Sequence, residues 1–112
     1  MVVKRNRPMK RSDSINLSRR EDGCFILNGV LDFQTVPVIR QQGLDLFSEA
    51  PSLVLDLQGV SRSDSAGLAL LIEWMRFARS QNKPISFINM PTQMLAIARV
   101  SSLDSILPLA RG

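Results

Sequence analysis

The stretch Leu53-Val-Leu-Asp-Leu-Gln-Gly-Val-Ser-Arg-Ser-Asp-Ser-Ala-Gly-Leu68 constrains the fold more than any other. A short apolar run fit for an interior strand stops at a polar turn, and a strongly helical segment follows at once. That order places the Asp64 carboxylate and the Ser65 hydroxyl at the N-terminal end of a helix, on the rim of a sheet. Exposed amides and the positive end of the helix dipole lie at such a position. Both residues can serve simply as caps, and Gly67 can allow close backbone packing. Equally, the rim can recognise a partner or receive a phosphate on Ser65, which would add about −1.5 to −2 charges.

Around this stretch the pattern alternates strand and helix. Ser14–Ser18 alternates polar and apolar residues, and Cys24–Val30 reads as a second strand across a turn at 19–23, so the two form a hairpin. Asp32 and Thr35 are candidate caps for a helix over Val36–Ser48, with Pro37 confined to its first turn. Gly43 weakens that helix. Strand Leu53–Leu57, helix Ala66–Gln81 and strand Ile85–Ile88 follow. Thr92 then caps a third helix with Met94, Leu95 and Ala98 as its apolar stripe, and Leu103–Leu109 holds another short strand. Helices lying between strands imply parallel pairing, and the opening hairpin adds an antiparallel pair. The fold class is therefore α/β, a small mixed sheet.

The helix after Ser65 carries more apolar surface than a sheet alone demands. At 100° per residue from Leu68, Met75, Leu71 and Ala78 form an ordinary core stripe. Leu70, Trp74 and Phe77 widen the apolar arc to roughly 220°, against the ~100° that a surface helix needs. Either neighbouring helices bury these residues, or they form a ridge for another protein. In the second case Trp74 is the anchor and Glu73 and Arg76 its rim.

The 112 residues suffice for one domain. The net charge of +4 is unevenly placed. Lys4, Arg5, Arg7, Lys10 and Arg11 precede the first acid, and the remaining chain has nine basic and ten acidic residues. Residues 1–13 are expected to form a disordered basic leader and 14–112 the folded domain. Such a leader is either solvated or weakly attracted to anionic lipid or nucleic acid, although no aromatic interleaves to stack on bases. No apolar run approaches the ~20 residues of a membrane span, and no secretory h-region is present, which predicts a cytoplasmic protein. The lone Cys24 fits a buried strand thiol.

Absent residues exclude most chemistry. Without histidine, neither a Ser–His–Asp triad nor a histidine-bearing metal site can be built. Ser63-Asp-Ser-Ala-Gly67 has the outline of a nucleophile elbow but no imidazole to take the proton. Gly59 and Gly67 lack the Lys-Ser/Thr of a phosphate-binding loop. One cysteine excludes a Cys-rich zinc site. The expectation is a non-enzyme with no cofactor, no metal and no small-molecule substrate.

Two blocks carry a family resemblance. Gly29-Val-Leu-Asp-Phe-Gln-Thr35 resembles the G-x-L-D-x-x-T segment of STAS domains, and Leu55–Leu68 resembles their D-L-x-x-V-x-x-x-D-S-x-G-L segment. The resemblance covers about Ser14 to Leu109. It implies a mixed sheet with three to four helices packed mainly on one face, and a non-catalytic binding role. Ser65 matches the residue that a partner kinase phosphorylates in anti-sigma-factor antagonists, and Asp32 the aspartate near the same rim. Asp64–Ala78, Phe87–Pro91 and Leu103–Pro108 are similar to the MlaB-type subunit of a bacterial phospholipid ABC transporter. That similarity implies an ATPase subunit as partner, a role in outer-membrane lipid asymmetry, and attachment to the inner membrane through the complex. No nucleic acid is implied. The expected contact comprises Arg62, Ser63, Asp64, Ser65, Leu70, Trp74 and Phe77, with Asp32 and Gly67 on its rim. Anti-sigma antagonism controlled at Ser65 is the alternative.

Overall fold

The computed structural model describes residues 15–110. The expected disordered leader at 1–13 lies outside the described residues. The elements run β1 (Ile15–Arg19), β2 (Phe25–Leu31), α1 (Val36–Phe47), β3 (Leu53–Asp56), β4 (Val60–Ser63), α2 (Ser65–Ser80), β5 (Ile85–Ile88), α3 (Thr92–Val100) and β6 (Leu109–Ala110). No described helix is long and apolar enough to cross a membrane.

The sheet is mixed, as expected. β1 pairs antiparallel with β2, and β2–β3, β3–β5 and β5–β6 are parallel, giving the order β1-β2-β3-β5-β6. β4, read from sequence as a turn, is instead a strand parallel to β2, with Leu31 opposite Ser63. β3 and β4 share β2 as neighbour, and the Gly29 amide bonding to the Gly59 carbonyl at 2.9 Å spans the break between them. Pairing rather than propensity makes this polar segment extended.

Alternation within the strands sends Leu17, Phe25, Leu27, Leu55 and Phe87 into one buried layer under the helices, while Asn16, Ile26, Asn28, Val54 and Ser86 remain at least partly exposed on the other face. α1 contributes Ile39, Gly43 and Phe47 to that layer, each four residues from the next. Gly43 is the point of closest approach to α2. A Cβ there would stand 2.8 Å from Trp74 Cε2 and nearer still to Cζ2. The glycine that weakens the helix locally is a notch for the indole.

Trp74 is accordingly not a docking residue. It is fully buried, edge-on to Phe47 with ring centroids 5.0 Å apart, and its indole N–H donates to the Arg40 carbonyl at 3.4 Å. Leu70 is 1% exposed. The ridge fails because α2 is the middle helix, flanked by α1 and α3 with the sheet beneath, so three sides rather than one require apolar cover. Phe77, at the arc's edge, is half-buried with the Lys83 ammonium 5.9 Å from its ring. The same ammonium caps α1 by donating to the Phe47 and Ser48 carbonyls at 2.7 and 2.9 Å.

Two expected caps also differ. Thr35 stands at the N-cap of α1 but makes no side-chain cap bond. Its hydroxyl donates to the Val30 carbonyl at 2.8 Å and accepts from the Asp32 amide at 2.9 Å, tying the loop to β2. Thr92 is the first residue of α3 rather than its cap, because Pro91 takes that position.

Candidate functional site

Asp64 organises the rim. In extended backbone it caps α2, its carboxylate accepting from the Ala66 amide at 2.8 Å, while the other oxygen accepts from the Phe33 amide at 3.4 Å. One side chain thus joins the N-terminus of α2 to the loop between β2 and α1. On that loop Asp32 accepts from the Gln34 and Thr35 amides at 3.0 and 3.1 Å. Its second oxygen faces Arg62 at 3.6 Å. The Arg62 side chain is 66% exposed, so the pair is worth at most about 1 kcal/mol.

Beneath this surface lies a tight floor. Ser63, expected at the contact, is buried, and its hydroxyl donates to the Asp64 carbonyl at 3.1 Å. It therefore positions the rim from below, since the end of β4 passes beneath Gly67 in the first turn of α2. Gly67 is buried over the same floor, and a Cβ on it would come within 2.7 Å of the Leu31 carbonyl oxygen and 2.9 Å of Leu31 Cγ. Only a glycine lets the first turn of α2 descend onto the end of β2. From α3, Gln93 accepts the Ser63 amide at 3.4 Å. Asp32, Arg62, Ser63, Asp64 and Gln93 line an open groove of about 340 Å³.

Ser65 stands above this floor, exposed. The amides nearest it are engaged, since Ala66 donates to the Asp64 side chain and Gly67 and Leu68 donate to the Asp64 carbonyl. A phosphate on Ser65 would find few free donors and a neighbouring carboxylate. The position is suited to a charge that alters docking, and poorly suited to one that orders the fold.

Of the expected contact residues, Arg62, Asp64 and Ser65 meet on one surface with Asp32 at its edge, whereas Leu70 and Trp74 lie in the core. The apolar component is supplied by residues that sequence reading missed. Phe33, whose amide donates to Asp64, is 69% exposed, and Val38 in the first turn of α1 is 67% exposed. Phe33 was legible in principle, as an aromatic inside a polar turn. Gln93 carries no sequence signal, because only the packing of α3 brings it to β4.

A second polar cluster lies on the helix-free face. Asp56 is buried, which alone would raise its pKa. Hydrogen bonds from the Gln58 amide, the Asn89 side chain and the Arg20 guanidinium outweigh burial and hold it below the usual carboxylate range. Arg20 also grips Asp22 at 2.9 Å. Burial pushes the Cys24 thiol up, away from reactivity.

These features are those of a STAS domain, a family whose members are typically non-catalytic binding or regulatory proteins. The family model described as "Mlab, STAS domain" matches residues 18–108, and the chain belongs to the STAS family. No curated protein matches the chain in sequence. Among solved structures it is similar to an anti-sigma factor antagonist from Mycobacterium paratuberculosis (TM-score 0.68, 23% identity, covering 90% of this chain and 89% of that one). It is also similar to the anti-sigma factor antagonist SpoIIAA in its unphosphorylated form (0.68, 17%, covering 88% and 87%). The phosphorylated form of SpoIIAA, a Bacillus cell fate determinant, matches as well (0.64, 20%, covering 88% and 90%). At these identities the likeness establishes the fold.

Proposed function

We propose that this protein is a non-catalytic docking subunit that presents the Ser65 end of α2 to a partner, and that the partner is the ATPase of an ABC-type phospholipid transporter. The carrying observation is the exposed Ser65 hydroxyl above a tight floor, at the end of the domain that also carries the exposed Phe33 and the Arg62–Asp32 pair. An apolar anchor with a charged rim is the composition of a protein-binding surface. The family description "Mlab" supports the transporter reading, and that reading carries with it a role in outer-membrane lipid asymmetry. Docking would favour whichever state of the ATPase binds the rim more tightly.

A second reading, which the solved neighbours favour over the first, rests on a different observation. The solved relatives bear the description of anti-sigma factor antagonists, one of them phosphorylated, and Ser65 is open to a kinase. In that reading a phosphate on Ser65 blocks docking on an anti-sigma partner.

Pull-down of the ATPase from the same cell tests the first reading. Phe33→Ala should weaken capture by roughly tenfold or more, as a central aromatic anchor does, and Ser65→Glu should abolish it. Both variants should unfold at the wild-type urea concentration. Undiminished capture by both would refute the surface. Intact-mass measurement on protein from cells separates the readings, because the second requires a phosphorylated population.

A further inference from the structure

The geometry points to a second binding site, on the helix-free face of the sheet and away from the rim, for a small monocarboxylate with an aliphatic body. There the turn between β1 and β2 and the Pro51-Ser52 approach to β3 border an open cavity of about 340 Å³. That volume lies at the lower end of the range for small-molecule sites. Cys24, on its lining, precedes Leu31 at the rim by roughly 23 Å of extended chain. The site is therefore independent of whatever docks on the rim.

The floor is apolar. Val54 on β3 and Ile88 at the end of β5 alternate with residues buried under the helices, so they face the cavity and stay partly exposed, with Cys24 buried beside them. The wall is polar, and its hydrogen-bonding capacity is one-sided. Asp22 is spent, because its carboxylate accepts from Arg20 Nε at 3.1 Å, from Arg20 Nη2 at 2.9 Å and from the Cys24 amide at 3.0 Å. Arg20 Nη1 turns to Asp56 at 3.5 Å, and Asp56 opens on a neighbouring cavity instead. Arg19 differs. Its Cζ stands 5.1 Å from the Phe25 ring centroid, and its Nη2 lies 3.8 Å from where a Cβ on Gly23 would be, so the guanidinium lies beside the turn. Among the described residues it meets no carboxylate. The capacity left over is thus mostly donors, the Arg19 fork and the remaining Arg20 N–H groups, to which the Ser52 hydroxyl adds one more. Of the acids in the turn only Asp22 lines the cavity, so two guanidiniums and one carboxylate leave a single positive charge. One charge balances a carboxylate but not a phosphate dianion, and a guanidinium fork takes a carboxylate through two parallel bonds. The floor then takes an aliphatic chain.

Titration of the full chain with octanoate, followed through the amide resonances of nitrogen-labelled protein, is the test. Saturable shifts should appear at Gly23, Ser52, Val54 and Ile88, and none at Phe33 or Ser65. Octanol, which lacks the charge, and inorganic phosphate, which lacks the chain, should each bind at least ~10-fold more weakly. The shorter butanoate should also bind at least ~10-fold more weakly, because it buries fewer methylenes on the floor. Arg19→Gln should weaken octanoate by about tenfold or more while leaving the resonances remote from the turn in place. Arg19→Lys, which keeps the charge but not the fork, should recover only part of that loss. Binding of octanol or phosphate as tight as that of octanoate, undiminished binding by Arg19→Gln, or shifts spread equally to the rim amides would each overturn the inference.

Discussion

Gly43 and Trp74 offer a test of the packing that removes the indole from the docking surface. Gly43→Ala adds one methyl group at a point where Trp74 Cε2 would lie 2.8 Å away, closer than such contacts tolerate. The indole cannot withdraw, being fully buried against Phe47. Overpacking of this kind costs about 1–3 kcal/mol. Alanine's better helix propensity returns about 1 kcal/mol. The single variant should therefore be destabilised by about 0–2 kcal/mol. Trp74→Phe, which leaves a partial cavity, should cost about 1–2 kcal/mol.

In the double variant the shorter ring no longer reaches the position of Cζ2, so the new methyl enters vacated space. Gly43→Ala then becomes neutral or stabilising, and the cycle should return about 1–3 kcal/mol of favourable coupling. Urea unfolding followed by circular dichroism is the right assay, because Trp74 is the only tryptophan and fluorescence disappears with it. With a slope of about 1–3 kcal/mol per molar for a small domain, coupling of that size moves the midpoint by roughly 1 M. Additivity to within ~0.5 kcal/mol would refute the reasoning, since it would mean that residues 43 and 74 do not compete for the same space.

Two further outcomes are expected. Gly67→Ala should lift the first turn of α2 off the Leu31 carbonyl and weaken partner capture more than it lowers the urea midpoint, whereas Gly43→Ala should do the reverse. Equal ratios of binding loss to stability loss in the two variants would show that Gly67 has no special place beneath the rim. The Asp56 cluster should respond to acid. Its carboxylate is depressed in the folded state, so its contribution is present above the unfolded value near pH 4 and is lost as pH falls through the lower folded value. The urea midpoint should therefore fall less steeply below about pH 4 in Asp56→Asn than in the wild type, and parallel curves would remove Asp56 as the cause.

The fold was legible where periodicity and termination signals coincide. Ile85–Ile88 needed only an apolar run after Pro84, and α2 needed only a cap at Asp64 and a strong helical period. Where it was illegible, a partner distant in sequence decides the outcome. Val60–Ser63 is too polar to announce a strand, and becomes one because β2 continues past Gly29 and offers unpaired backbone. Trp74 defeats the helical wheel for a related reason. The wheel reports the width of the apolar arc but not how many neighbours α2 has, and two flanking helices turn an apparent ridge into core. Thr35 looks like a cap by type, yet its hydroxyl finds the Val30 carbonyl first. Phe33 lay inside the quoted family block, between the matched Asp32 and Thr35, but a motif marks shared residues and passes over the side chain between them.

The site thus separates into two layers that answer to different pressures. The lower layer, Ser63 and Gly67 with Leu31, is built from packing limits and one buried hydroxyl bond, so it tolerates little change and sets the height of the helix end. The upper layer, Ser65, Phe33 and Arg62, makes few contacts within the domain, so changing it costs the fold little and alters what the surface prefers to meet. Asp64 belongs to both, since one oxygen holds the helix and the other holds the loop that carries Phe33. A charge placed on Ser65 acts wholly in the upper layer. Its repulsion with Asp64 is relieved most easily by water, and an apolar partner seated on Phe33 removes that water. Under the proposed docking, the same modification would be mild in the free protein and severe in the complex, and that difference would let one hydroxyl control docking without unfolding the domain that bears it.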